Sequence, residues 1–545
     1  MATARKHSKA WRLPRSHFNK NLTMRRRSFF ASIGLLASAI TTRNASALPP
    51  ALAHGHRENA PDPSSAAQTA RHYLDRIARL DRRGPELRSI IELNPDALQM
   101  AAALDAERAA GTLRGPLHGM PVVIKDNIAT GDRMSTTAGS LALDGVHATR
   151  DAHLVERLRA AGGVILGKTN LSEWANIRSG RSTSGWSGRG GLSRNPYALD
   201  RSTSGSSSGS AAAVAANLTR MAIGTETDGS IVSPSSIMGV VGLKPTVGRI
   251  SRDGIIPISH TQDTPGPIAR TVSDAALLLT ALAGPDPRDP ATLGAPAPAD
   301  YLGALDKNAL RGARIGVARE FFSGHDEVDE RIDYAIARLA MLGAEVIDPI
   351  NLPKVNYDTE EQSVLLHEFK HDLPLWLASF APHAQIRTLA DVIAFNNANH
   401  ETEMPYFGQE LLIQAEALGD LDSEVYTKAL AACRKGSRDE GIDRAIREHK
   451  LDAIVAPTGG TAWLTDFING DSSGDGFSTP AAVAGYPHLT VPAGLVRGLP
   501  VGLSFVGPAW SEARLLALGY AFEQATQWRE EPQYIQHSSI PPVRV

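Results

Sequence analysis

The chain of 545 residues contains a single cysteine, Cys433. An intrachain disulfide is therefore excluded, and so is any zinc site built on cysteine pairs. Cys433 lies in an Ala-rich helical stretch without a Gly-rich turn beside it, which reads as a plain helix residue rather than a reactive thiol. Aromatic residues are scarce at 6%, and neither sign of charge is in excess: 56 Lys and Arg against 58 Asp and Glu leave a net charge of −2. Such a balance lacks the basic footprint of a nucleic-acid binder and the polybasic segments that hold a protein on an acidic membrane. No nucleic-acid partner and no stable membrane association are expected. The apolar run at residues 29–40 is too short to remain in a bilayer as an anchor. It follows Arg25, Arg26 and Arg27 and precedes Ala45-Ser46-Ala47, which is the order of a cleaved export signal of the twin-arginine type. The expectation is a signal at residues 1–47, transient contact with the twin-arginine export machinery, and a periplasmic or secreted product. Met24 is an alternative start, because nothing before it adds to such a signal.

What is present is ordinary globular material: 42% hydrophobic residues, 48 glycines and 34 prolines. Residues 48–64 are rich in Pro, Ala and His and read as a linker. From 65 to 540 the pattern alternates short apolar strands with amphipathic stretches, which predicts one large α/β domain, a sheet covered by helices. Ala70, Tyr73, Leu74, Ile77 and Leu80 share a helix face. Asn94-Pro95 is placed to open a helix that runs to Ala110 and closes at Gly111. Strands are expected at 121–124, 163–166, 313–317, 344–347, 452–458 and 500–507, and at 221–223 before a Gly-rich turn. Helices are expected after Asp151 as cap, from Ala211, and over 327–342. Residues 355–447 read as mostly helical and cap-like.

Four motifs carry chemistry, and they compete. GGVILGKT at 162–169 matches the phosphate loop GxxxxGK[ST], yet its variable positions are bulky and apolar and read as a strand. GSSSG at 205–209 matches GxSxG around Ser207, but no strand leads into it, as a nucleophile elbow requires. HEFKH at 367–371 is a full HExxH match, with His367 and His371 on one helix face and Glu368 as base of a zinc peptidase. Against that reading, Pro374 is expected to end the helix, and the third ligand would have to come from His383, Glu401 or Glu403. The fourth pattern is distributed: VVIKDN around Lys125, GSSSGSAAAVAA around Ser206, and GTETDGSIVSP around Ser230.

These three segments, with GPLHGMPVVIKDN, GGVILGKTNLSEWAN, GVVGLKPTVGRISRDGIIPIS and AAVAGYPHLTVP, resemble the amidase signature family over about residues 64–526. The resemblance implies a single large domain with a mixed central sheet covered by helices on both sides. It implies hydrolysis of carboxamides through an acyl-enzyme, with Lys125, Ser206 and Ser230 as a Ser-Ser-Lys triad and Ser206 on a cis peptide bond. It also implies an oxyanion hole from the backbone N–H groups of Thr227, Asp228, Gly229 and Ser230. No metal or organic cofactor is implied. The TETDGSIV variant, LLHEFKHDL and FGQELL are similar to a subgroup that includes bacterial peptide amidases, which implies a peptide C-terminal amide as substrate, with a general aliphatic or aryl amidase of the same family as the alternative. Two positions depart from the family pattern. Asp228 stands where glycine is common and would repel an oxyanion unless its side chain turns away or meets a donor. Val232 stands where arginine is frequent, which removes a supporting ion pair. Gly190, Gly191 and the turn from Arg194 to Tyr197 are expected near the Ser206 loop.

The chemistry is consistent with those roles. A serine hydroxyl attacks only when a base takes its proton, and no histidine lies within the three segments. Lysine serves as base only when neutral, and burial disfavours its charged form. Lys125 follows an apolar strand that would bury it, and a hydroxyl such as that of Ser206 both donates and accepts.

Overall fold

The computed structural model describes residues 65–353, 357–474 and 476–537. The expected export signal, including Arg25 to Arg27, and the linker at 48–64 lie outside the described residues. Among the described residues no helix is long and apolar enough to cross a membrane.

Eleven strands form one mixed sheet. In chain order they are β1 (Ile90–Leu93), β2 (Pro121–Lys125), β3 (Val164–Thr169), then, after a small hairpin of β4 (Trp186–Ser187) and β5 (Gly191–Leu192), β6 (Met221–Glu226), β7 (Val241–Lys244), β8 (Thr264–Ala269), β9 (Arg314–Val317), β10 (Glu345–Ile347), β11 (Ala453–Pro457), β12 (His488–Val496) and β13 (Leu499–Val506). The spatial order is β1-β3-β2-β6-β8-β7-β12-β13-β11-β9-β10. β3, β2 and β6 run parallel, as do β11, β9 and β10, and antiparallel pairs join these two groups. The α/β class and the mixed sheet are those the sequence implies.

Side chains alternate across the sheet because successive residues of a strand face opposite sides. In β2, Val122 and Ile124 enter one apolar core while Val123 enters the other. Ile165 in β3 and Met221 and Ile223 in β6 join Val122, while Val164, Leu166 and Ala222 join Val123. Both faces are thus dry, which is why these strands read as continuous apolar runs. Lys125, two residues beyond Val123, falls on the side of the second core, where the buried helix Ser208–Ala215 packs.

Several local expectations are corrected. The second helix is Ala97–Ala109 with Asp96 as its N-cap; Asn94 forms the preceding turn, its side chain accepting from the Asp96 N–H at 2.9 Å. Asp151 does not cap: the helix is His153–Ala160, capped at Ala152, and Asp151 accepts from the Gly131 N–H at 2.7 Å and the Arg159 guanidinium at 2.9 Å. Pro374 does not end its helix, which runs Asp358–Phe380. Its downstream turns carry Trp376, Leu377 and Phe380 in the main core, together with Leu373. Burying side chains of that size contributes about 1.5–3 kcal/mol each, which outweighs the roughly 3 kcal/mol cost of an interior proline. From 357 to 449 the chain is mostly helical, with non-helical links at 381–388, 404–409 and 417–423.

A buried ion cluster ties the segment after β3 to the helical region. Arg178, Glu173 and Glu403 have fully buried side chains, with Arg178 2.5 Å from Glu173 and 3.7 Å from Glu403. Arg178 also stacks on Phe407, 4.2 Å from the ring centre. Burial pushes the Glu173 carboxyl well above the usual carboxylate range, and Arg178 pulls it back. Removing one partner of such a group leaves uncompensated charge, at a cost of about 3–5 kcal/mol. Arg178→Met is therefore expected to lower unfolding free energy by that amount, read as a lower denaturant midpoint at unchanged slope.

Candidate active site

The C-terminal ends of parallel neighbours β2 and β6 adjoin, because Ile124 pairs with Ile223. Crevices at the carboxyl ends of parallel strands are where open α/β sheets place their ligands. Lys125 ends β2, and the chain leaving β6 turns through Thr227-Asp228-Gly229 to Ser230. The loop carrying Ser206 enters the helix Ser208–Ala215 on the same side. Three segments far apart in sequence are thereby brought together.

Lys125 is fully buried. Its Nζ lies 2.8 Å from Ser206 Oγ, 2.9 Å from Thr225 Oγ1 and 3.2 Å from the Thr225 carbonyl. Desolvation pushes this amine down to about 7, against the pull of the Asp263 and Glu226 carboxylates. A neutral amine has two N–H donors and one lone pair. The Thr225 carbonyl can only accept, so it takes one N–H. Thr225 Oγ1 already accepts from Asn127 Nδ2 at 3.0 Å and has a second lone pair for the other N–H. The amine lone pair is then left for the Ser206 hydroxyl.

Ser206 follows a cis Gly205–Ser206 peptide bond. Its carbonyl accepts from the Ser172 N–H at 3.1 Å. A Cβ on Gly205 would stand 2.2 Å from Ser172 Oγ, so a larger residue would have to displace that hydroxyl, which accepts from the Gly185 N–H at 2.9 Å. Ser207 is committed elsewhere: its hydroxyl donates to the Thr225 carbonyl at 3.0 Å and accepts from the Thr225 N–H at 3.2 Å. The Ser207 N–H also donates to the Ser230 carbonyl at 3.1 Å, which joins the Ser206 loop to the Ser230 turn. The hydroxyls of Ser206 and Ser230 do not hydrogen-bond to each other in this structure. The Ser230 hydroxyl meets no partner among the described residues.

The turn before Ser230 presents open donors. Among the described residues no acceptor meets the backbone N–H groups of Thr227, Asp228, Gly229 or Ser230, whereas those of Ile231 and Val232 are held by Glu226 Oε2 at 2.7 and 3.0 Å. Gly229 has φ +75°, a left-handed conformation that glycine adopts without strain. Asp228 turns away from the donors and accepts from Thr479 Oγ1 at 2.7 Å. Burial raises its pKa and so favours the neutral form. Thr227 is fixed by donating from Oγ1 to Asp263 at 2.6 Å, a carboxyl that burial pushes up to about 6. Asp263 and Glu226 were not singled out by the sequence, although Glu226 lies inside the GTETDGS motif.

A cavity of about 200 Å³ adjoins this turn, lined among others by Ser233, Ser236, Trp463, Ser478 and Thr479. Its lining does not include Gly190, Gly191 or Arg194 to Tyr197. Gly191 sits in the β4–β5 hairpin, the Asn195 amide donates to the Ser202 carbonyl at 3.0 Å, and Tyr197 binds the Glu530 carbonyl. A larger cavity, about 390 Å³, is lined by Arg220, Arg270, Trp528, Arg529 and neighbours and includes none of the three motif residues.

The competing motifs take structural places. Lys168 of the GKT run is buried in β3 and donates to the Ile128 carbonyl at 2.6 Å and to Thr136 Oγ1 at 3.0 Å. The HEFKH segment does not assemble a zinc peptidase centre. His367 Nδ1 is held 2.6 Å from the Ser363 carbonyl of its own helix. Glu368 is buried and accepts from Ser259 Oγ at 2.5 Å and Tyr426 Oη at 2.7 Å, so it cannot act on a bound water. Glu403 is in the Arg178 cluster, and His383 and Glu401 are exposed. Cys433 is buried, and desolvation pushes its thiol up to about 12.

The chain matches the family Amidase over residues 68–516. It is 53% identical to the native peptide amidase of Stenotrophomonas maltophilia, with a TM-score of 0.83 over 86% of this chain and 95% of that one. A probable amidase of Arabidopsis thaliana is 43% identical over 483 residues, covering 86% of this chain and 89% of the relative. A subunit of the glutamyl-tRNA(Gln) amidotransferase of Symbiobacterium thermophilum is 37% identical, covering 86% of this chain and 94% of the relative.

Proposed function

The chain belongs to the amidase family, and from that premise we propose that it removes the C-terminal amide of peptides through a relay of Lys125, Ser206 and Ser230. Hydrolysis of amide C–N bonds is the activity of the family. The narrower substrate rests on one observation, the 53% identity to a peptide amidase across 86% of this chain.

In the proposed mechanism neutral Lys125 takes the proton of Ser206, which takes that of Ser230 as its Oγ attacks the amide carbonyl. Hydrogen bonds of this kind are often long before substrate binds and tighten in the complex, so the Ser206–Ser230 link is expected to close on binding. The open N–H groups of the turn from Thr227 to Ser230 receive the oxyanion; one such donor is worth about 10²–10³-fold in rate. The proton returns along the relay to the departing ammonia, and water, activated by the same relay, releases the acid from Ser230.

Ammonia release from peptide amides, aliphatic amides, aryl amides and free glutamine tests the substrate class. The expected result is a kcat/KM for peptide amides at least tenfold above every other class. Preference for aliphatic or aryl amides would replace the peptide reading by a general amidase. Glutamine as best substrate would replace it by an amidotransferase-type activity.

A further inference from the structure

We propose that His260, His371 and Asp372 form a binding site for one divalent transition-metal ion of the zinc type, at the outer edge of the molecule and separate from the reaction centre. One ligand atom from each of the three lies within 4.8 Å of the others. His260 Nδ1 is 2.8 Å from one carboxylate oxygen of Asp372, and His371 Nδ1 is 2.7 Å from the other. Two imidazoles and a carboxylate are a donor set that zinc takes, with a fourth position for water. Imidazole favours zinc, nickel and copper over magnesium and calcium.

The support behind the ligands is the second reason. Metal-bound histidines almost always give their other ring nitrogen to a carboxylate or carbonyl, which fixes the ring and its tautomer. His260 Nε2 faces the buried Glu368 carboxylate at 3.5 Å. Glu368 is itself fixed by Ser259 Oγ at 2.5 Å, the Thr261 N–H at 3.1 Å and Tyr426 Oη at 2.7 Å. Coordination requires each Nδ1 without its proton, and the remaining ring proton of His260 then sits on Nε2, toward Glu368. His371 is half exposed, so an ion has a path from solvent.

The ligands come from two elements. His260 belongs to the loop 258–263, and His371 and Asp372 belong to the helix Asp358–Phe380. The same loop holds the turn before Ser230: Asp263 accepts from Thr227 Oγ1 at 2.6 Å, and Gln262 Nε2 donates to the Thr227 carbonyl at 3.4 Å. A bound ion ties that loop to the helix.

Calorimetric titration of the chelator-treated protein with zinc chloride, and optical titration with cobalt(II), test the site. The expected result is one saturable equivalent per chain, with the visible absorption of tetrahedral cobalt, and no response to magnesium. His371→Ala and Asp372→Asn are each expected to weaken binding at least about tenfold, while circular dichroism and amide turnover without metal show that they remain folded. Absence of saturable binding to the unaltered protein overturns the proposal. So does binding unchanged in both variants, which would mean adventitious ions elsewhere on the chain.

Discussion

Ser230→Ala is expected to reduce amide turnover about 10⁴-fold or more, with unfolding free energy changed by less than about 1 kcal/mol. The magnitude is that of losing a nucleophile, the role proposed for Ser230, from residues that act as one unit. The small stability effect follows from the surroundings. The Ser230 hydroxyl meets no partner among the described residues, so truncation leaves no buried group unsatisfied. Its backbone keeps its contact with the Ser207 N–H. Ser207→Ala differs in kind. It removes the hydroxyl that joins both backbone groups of Thr225 and is expected to cost stability while leaving the nucleophile in place. Loss of turnover in Ser207→Ala, with turnover retained in Ser230→Ala, would reverse the assignment.

Lys125→Met is expected to lower kcat about 10²–10⁴-fold, the range for removing a general base. Methionine keeps an unbranched apolar chain in a fully buried site and leaves no charge there, so folding is expected to persist. The pH profile separates the base from a structural role. In the proposed relay Lys125 acts when neutral, and burial pushes it down to about 7. The neutral fraction, and with it kcat/KM, rises as pH passes upward through that value and levels off above it. Residual turnover in Lys125→Met is expected to lose this limb. A limb that persists in the variant would assign it to another group, such as Asp263, whose carboxyl burial pushes up to about 6.

The segments around Lys125, Ser206 and Ser230 stand out only together and in order, through their resemblance to the amidase signature family; alone, a lysine ending an apolar strand or a serine in a Gly-rich turn is a weak signal. The α/β class was legible from the same alternation. What holds these residues was not. Lys125 is desolvated by strands and a helix whose neighbours are set by sheet order, and β6 lies beside β2 with almost a hundred residues between them. Glu403 reaches Arg178 from a segment more than two hundred residues downstream. Thr479 meets Asp228 over a similar separation. No local pattern announces pairs of this kind. Local rules failed where tertiary burial overrode them, as at Pro374, where the core side chains Trp376, Leu377 and Phe380 keep the helix going. The HEFKH match failed for the reverse reason. Its spacing is right, but His367 turns to its own helix and Glu368 to Ser259 and Tyr426.

The protonation of Lys125 can be observed without turnover. In protein carrying ¹⁵N-labelled lysine side chains, the resonance missing from Lys125→Met identifies its Nζ, which can then be followed with pH. A titration near pH 7 is the predicted result. A titration near 10.4, the ordinary value for lysine, would leave the amine charged at neutral pH and contradict its service as the base.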